Sequence, residues 1–190
     1  MRGALTRRAI AFLGDSSAIA ALEFGLAAPL VVLLFMGGFD MSRYLLVHYK
    51  VERVAVAVAD ILTQYKMVSG SEIKDAFTAS AEIMHPFPFG PEGVVIVSSV
   101  HRSEPTGPTA IRWQCSGGGT LDRTSAVGRV NDTATLPGEL TLGARDNVIV
   151  SEVFYTYRPI FSGIVPDQVQ VYKTSVFRPR LGALTSAPGC

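Results

Sequence analysis

Charge is scarce in this chain, and neither sign dominates. Only 17% of its 190 residues are Asp, Glu, Lys or Arg, and the formal net charge is +1. Without a basic excess, nucleic acid is not expected as a partner. Two cysteines are too few for a disulfide-dense secreted scaffold. The three histidines, His48, His85 and His101, have no spacing that sets two metal ligands on one face. There is no HExxH, GxSxG, Walker or GxGxxG pattern. Ser116-Gly117-Gly118-Gly119-Thr120 is glycine-rich but lacks the Lys and following helix of a phosphate cradle, so it reads as a loop. No catalytic residue, metal or cofactor is expected. The 18 Gly and 11 Pro are aperiodic, which excludes collagen, and 48% apolar residues exclude intrinsic disorder.

What the chain does have is one concentrated apolar segment. Mean hydropathy is +0.30, and 25 of the first 39 residues are apolar against 66 of the remaining 151. From Ser16 to Phe39 the only charge is Glu23. Twenty-four helical residues reach roughly 36 Å, enough for a hydrocarbon core of about 30 Å. No polar stripe marks a core-facing helix. A cleavable secretory signal is the rival reading, with Arg7 and Arg8 as its basic region. The run is too long for that, contains a carboxylate and has no small-x-small site before a polar start, which favours a retained single-pass anchor. Arg2, Arg7 and Arg8 on one side balance Arg43, Lys50 and Arg53 on the other. The free α-amino group and the Arg7-Arg8 pair favour a cytoplasmic N-terminus, with the C-terminal domain across the membrane.

The helical pattern continues past the membrane. Val47, Val51, Val54, Val58, Ile61 or Leu62, and Tyr65 recur at steps of three and four, opposite Lys50, Arg53, Ala57 and Gln64. One helix over residues 19–66 is predicted, in lipid over about 17–39 and amphipathic over 40–66, after a basic leader at 1–18. A head at 67–190 follows. Ser69 with Glu72 forms a capping-box pattern for a second helix carrying Ile73, Phe77 and Met84, ended by the prolines of 86–91. Strands are predicted at Val94–Val100, Ile111–Cys115, Val148–Tyr157 and Val169–Phe177, with a short helix near Leu121–Val127 in the long connection. The last two strands are separated by a loop with Pro159, Gly163 and Pro166. The expected fold is α+β: a long N-terminal helix over an antiparallel sheet of about four strands.

The leader, then Ala20-Ala21-Leu22-Glu23-Phe24-Gly25-Leu26-Ala27-Ala28-Pro29-Leu30, then an apolar run ending in Asp40-Met41-Ser42-Arg43, resembles the TadE/TadG-like pseudopilins of bacterial tight-adherence (Flp) pilus assembly. Tyr157-Arg158-Pro159-Ile160-Phe161 and Val176-Phe177-Arg178-Pro179-Arg180 are similar to the ends of such proteins. The resemblance implies a bacterial inner-membrane subunit with a periplasmic head. Its partners would be other pilins or pseudopilins, the pilus assembly machinery and a prepilin peptidase. It also implies a cut after the residue five before the Glu. That residue is Ala18 where the family has Gly, and the cut would leave Ile19 as the new N-terminus. Glu23 of one subunit would then pair with the new α-amino group of a neighbour.

From the residues alone, Glu23 has a second reading, a carboxylate one turn inside the interface that reaches headgroup water by snorkelling. Pro29 is either a selected bend or simply tolerated. Gly37-Gly38 lacks a small-xxx-small frame for close helix contact. Cys115 shares a predicted strand face with Ile111 and Trp113, and Cys190 ends a flexible tail. In an oxidising compartment the two could pair, the alternatives being free thiols or an intermolecular bond. Arg158 and Arg178-Pro179-Arg180 read as solvated strand ends rather than an anion site. Two functions follow: a non-enzymatic pilus-assembly subunit, or a signal-anchored periplasmic binding or enzymatic domain unrelated to pili.

Overall fold

The computed structural model describes residues 16–161, 166–186 and 188–190, with side chains from Ile19 onward. The leader read at Arg2, Arg7 and Arg8, and Gly163 of the expected loop, lie outside the described residues. Helix α1 runs unbroken over Ser16–Thr63, 48 residues, straight through Pro29. Helix α2 covers Gly70–Met84. The strands are β1 (Gly93–Arg102), β2 (Thr109–Gly117), β3 (Asn147–Tyr157) and β4 (Val169–Phe177). They form one antiparallel sheet in the order β2-β1-β3-β4. The α+β expectation holds.

The second half of α1 folds onto this sheet because its stripe is apolar. Val47, Val51, Val54, Val58 and Leu62 are fully buried against β3 and β4. Each such side chain contributes about 1.5–3 kcal/mol relative to exposure. Tyr65 is exposed, because α1 ends at Thr63 rather than at 66. There the Thr63 carbonyl accepts the backbone N–H of Arg180 (3.0 Å), and the next turns tighten through Gln64 and Tyr65 N–H to Ile61 and Leu62. At α2 the Ser69 N–H donates to the Glu72 carboxylate (2.7 Å), the reach-back half of a capping box. Ile73, Phe77 and Met84 are buried as predicted.

Two local expectations fail. The segment Leu121–Val127 is not helical, since its polar groups are spent on the sheet. Leu121 N–H donates to the Gly93 carbonyl and Ala126 N–H to the Glu152 carboxylate. The only helical turn of that connection among the described residues is a 3-10 turn at Pro137–Glu139. Ile111 does not share a face with Trp113 and Cys115. The β1–β2 register shifts between Ser99 and Val100, so Ser99 faces Trp113 while Val100 faces Ile111. A bulge absorbs one residue and reverses the side-chain alternation beyond it. Trp113 and Cys115 join the helix-facing core, while Ile111 joins Val100, Val127, Leu136, Leu142, Val148 and Val150 beneath the long connection. The glycine run is needed for close approach: a Cβ at Gly119 would lie 2.1 Å from the Gly93 carbonyl oxygen.

Candidate functional site

The residues singled out on the anchor stay together on one projecting element. From Ile19 to Phe39, α1 extends past the head with its side chains almost all exposed; Phe24 and Phe35 are 74% and 76% exposed. That stretch belongs to the one helix among the described residues long and apolar enough to cross a membrane, and none of that helix's most apolar window is buried. Ala18, Ile19, Glu23, Phe24 and Pro29 all lie on α1, and the side chains of Ile19, Glu23, Phe24 and Pro29 are exposed. Glu23 is an exposed carboxylate seventeen residues before Asp40, about 25 Å along the axis. In a hydrocarbon core of about 30 Å, that depth is just inside the interface opposite the head. There a carboxylate reaches water or a cationic partner at modest cost. Pro29 supplies no backbone N–H to the carbonyl of Gly25, yet the helix continues. A Cβ at Gly38 would meet no other atom of this chain within 4 Å.

The junction between anchor and head is built around Asp40, which the sequence marked only as the end of the apolar run. Asp40 is fully buried. Its two carboxylate oxygens accept the backbone N–H groups of Ile160 (3.0 Å) and Phe161 (2.9 Å), just past β3. The Tyr157 hydroxyl donates to the Asp40 carbonyl (3.3 Å). One turn on, the Arg43 guanidinium lies 5.8 Å from the Phe39 ring centre and 4.9 Å from that of Phe87, within cation–π range. Burial pushes the Tyr155 phenol up to about 12, reinforced by Glu92. Burial first, then Asp40, raises Tyr157 as well. The signal was available, since Asp40 is in phase with Tyr44, Val47 and Val51 on the buried stripe. A carboxylate there has to be buried and supplied with donors.

The other groups are structural ties. Cys115 and Cys190 are joined by a disulfide with Cα atoms 5.8 Å apart. It closes a C-terminal strap in which the Leu184 carbonyl accepts from Trp113 Nε1 (2.8 Å) and Ser99 Oγ (2.6 Å). Arg158 pairs with Glu92 (2.9 Å), Arg178 with Asp146 (3.0 Å) and Arg180 with Asp60. Each of these three arginines therefore has a carboxylate partner. Fully buried Glu152 accepts from Ala126 N–H (2.9 Å), the Tyr172 hydroxyl (2.9 Å) and the Ser125 hydroxyl. His48 lies edge-on to Tyr44, and burial, aided by Lys173, lowers its pKa.

Of the surface cavities, a groove of about 360 Å³ between α1 and α2 is lined by Tyr49, Lys50, Arg53, Glu82 and Ile83. A hollow of about 190 Å³ on the other face carries Gln114, Ser116, Arg123 and Arg129. Neither sets a nucleophile beside a base. Among the described residues, no three His, Cys, Asp or Glu side chains are grouped as a metal site.

No curated protein and no solved structure matches the chain. A family model does: residues 18–60 match the one described as TadE-like protein. The match runs from Ala18 through Glu23, Pro29, Asp40 and Arg43 into the buried stripe of α1. It agrees with the resemblance read from those residues, and α1 from Ala18 to Asp60 is a TadE-like segment.

Proposed function

We propose that this chain is a minor, pseudopilin-like subunit for assembly of a bacterial tight-adherence (Flp) pilus, anchored once in the inner membrane. The observation that carries the reading is α1 itself. A single uninterrupted helix of TadE-like sequence carries one carboxylate in its lipid-length half and packs rigidly on the head with its other half. Contacts made by such a helix within the bilayer reach the head without an intervening hinge. The N-terminus is cytoplasmic and the head periplasmic, a reading supported by the Cys115–Cys190 disulfide, which is at home in an oxidising compartment. The functional units are a leader at 1–18, removable after Ala18 to expose Ile19, then the helix, then the head at 67–190. The role is assembly rather than catalysis.

Deleting the chain should remove surface fibres, and re-expressing it should restore them, with pilus components co-isolating from gently solubilised membranes. Fibres of normal number in the deletion strain would overturn the reading. They would favour a tethered binding or enzymatic domain.

A further inference from the structure

We infer that the head makes a second contact with the membrane, through the apolar tip Ile160–Phe161 that follows β3, beside the point where α1 enters the lipid. The inference rests on the reading that α1 spans a bilayer, and it names a surface that the helix alone does not supply. Phe39 is the last residue of the apolar run, and Asp40 next to it is ionisable and buried in protein. From Ile19 to Phe39 the helix is about 31 Å long, enough for a hydrocarbon core of about 30 Å, and Asp40 and Arg43 are the first ionisable residues past it. The Asp40 carboxylate holds the amides of Ile160 and Phe161 at 3.0 and 2.9 Å, which fixes the tip at that depth. The Phe161 ring meets Phe39 edge-to-face, with centroids 6.3 Å apart.

Ile160 is 55% exposed, although it is a large apolar side chain three residues past β3. Its neighbours suit a bilayer boundary. Phe39 is half exposed, Arg43 lies against it, and Arg158 is exposed beside Glu92, charges that the headgroup layer accommodates. A bilayer that covers Phe39 therefore meets the tip, whichever side of the membrane the head occupies. A single helix leaves the rigid unit of helix and head free to tilt and rotate in the bilayer. A second apolar contact off the helix axis sets the orientation of the sheet relative to the membrane.

Tryptophan fluorescence of the full chain in phosphatidylcholine–phosphatidylglycerol nanodiscs with brominated acyl chains tests this. The one native tryptophan, Trp113, is buried in the head and gives a constant background. In Ile160→Trp the added emission should be shifted to shorter wavelength and strongly quenched by bromine, as in the within-span control Leu34→Trp. Phe161→Trp is an independent probe of the same tip. Leu140→Trp is the distant control and should stay unquenched. Leu140 lies between Leu136 and Leu142, which pack at the Val148 end of β3, away from Tyr157 and Asp40.

Quenching at Ile160 or Phe161 no greater than at Leu140, with Leu34 quenched, overturns the inference and leaves the span standing. A blue shift at Ile160 without bromine quenching means that protein, such as a second copy, covers the tip, and overturns it too. Absence of quenching at Leu34→Trp overturns the membrane span and the inference with it.

Discussion

Replacing Asp40 by Ala removes the acceptor for two backbone N–H groups and leaves the rest of the junction in place. Hydrogen bonds to a charged partner contribute about 1.5–3 kcal/mol each, and an orphaned donor costs about 1–3 kcal/mol. The tip is only part-buried, so water can replace some of what is lost at Ile160 and Phe161. The net expectation is about 2–4 kcal/mol. For a head of this size that lowers the melting temperature by about 5–15 °C. Asp40→Asn keeps one acceptor but turns an amide N–H2 toward the other donor, so it should lose about half as much or more. The assay is thermal unfolding of the detergent-solubilised chain, with amide hydrogen exchange read at Ile160 and Phe161. Both amides should exchange faster in Asp40→Ala while those of β1 keep their protection. A melting temperature within about 2 °C of the parent, with unchanged exchange at both amides, would refute the assignment of Asp40 as the tie between anchor and head.

Glu152→Ala leaves Ala126 N–H and the Ser125 and Tyr172 hydroxyls without their common acceptor. A loss of about 2–4 kcal/mol in denaturant unfolding is expected. Replacing both Cys115 and Cys190 by Ser opens a cross-link spanning 75 residues, for which chain entropy gives about 4 kcal/mol. Limited proteolysis should then cut first in the strap around Leu184. Tyr155, pushed up to about 12, and Tyr157 and Tyr172, raised in the same direction, bind protons in the folded state that the unfolded chain has released. Their contribution is complete below about pH 10 and is lost as pH rises toward 12, visible as late phenol ionisation in ultraviolet titration. His48, with its pKa lowered, acts oppositely. Its contribution is present above about pH 6.5 and fades as pH falls, so His48→Phe should flatten the acid limb of the stability profile.

Much of the fold could be read from local pattern. The three-and-four spacing from Val47 to Leu62 reports which face of α1 is buried, and the strands at 148–157 and 169–177 stand out by β-branched and aromatic density. What escaped depended on contacts between distant segments. Nothing near Ile111 announces that a bulge turns it away from Trp113, because the extra residue is defined only against β1. Leu121–Val127 has a sequence compatible with a helical turn, but Glu152, some thirty residues later, claims its amide and hydroxyl donors. Asp40 was read only as the end of the apolar run. As a bare charge after an apolar run it looks like an interface marker, whereas its phase with Val47 and Val51 marks it as inward-facing. The anchor residues Ala18 to Pro29 stood out by the rarity of a carboxylate in such a run, and their proposed role is read from that pattern alone.

The central claim is that the membrane helix assembles rather than merely tethers, and Glu23 carries it. The most direct measurement is the number of surface fibres formed when Glu23→Gln is the sole copy of the chain, with its amount in the membrane fraction quantified alongside. Loss of fibres at parental membrane levels is the predicted result. Fibres in normal number from Glu23→Gln would contradict the claim, leaving α1 as a tether.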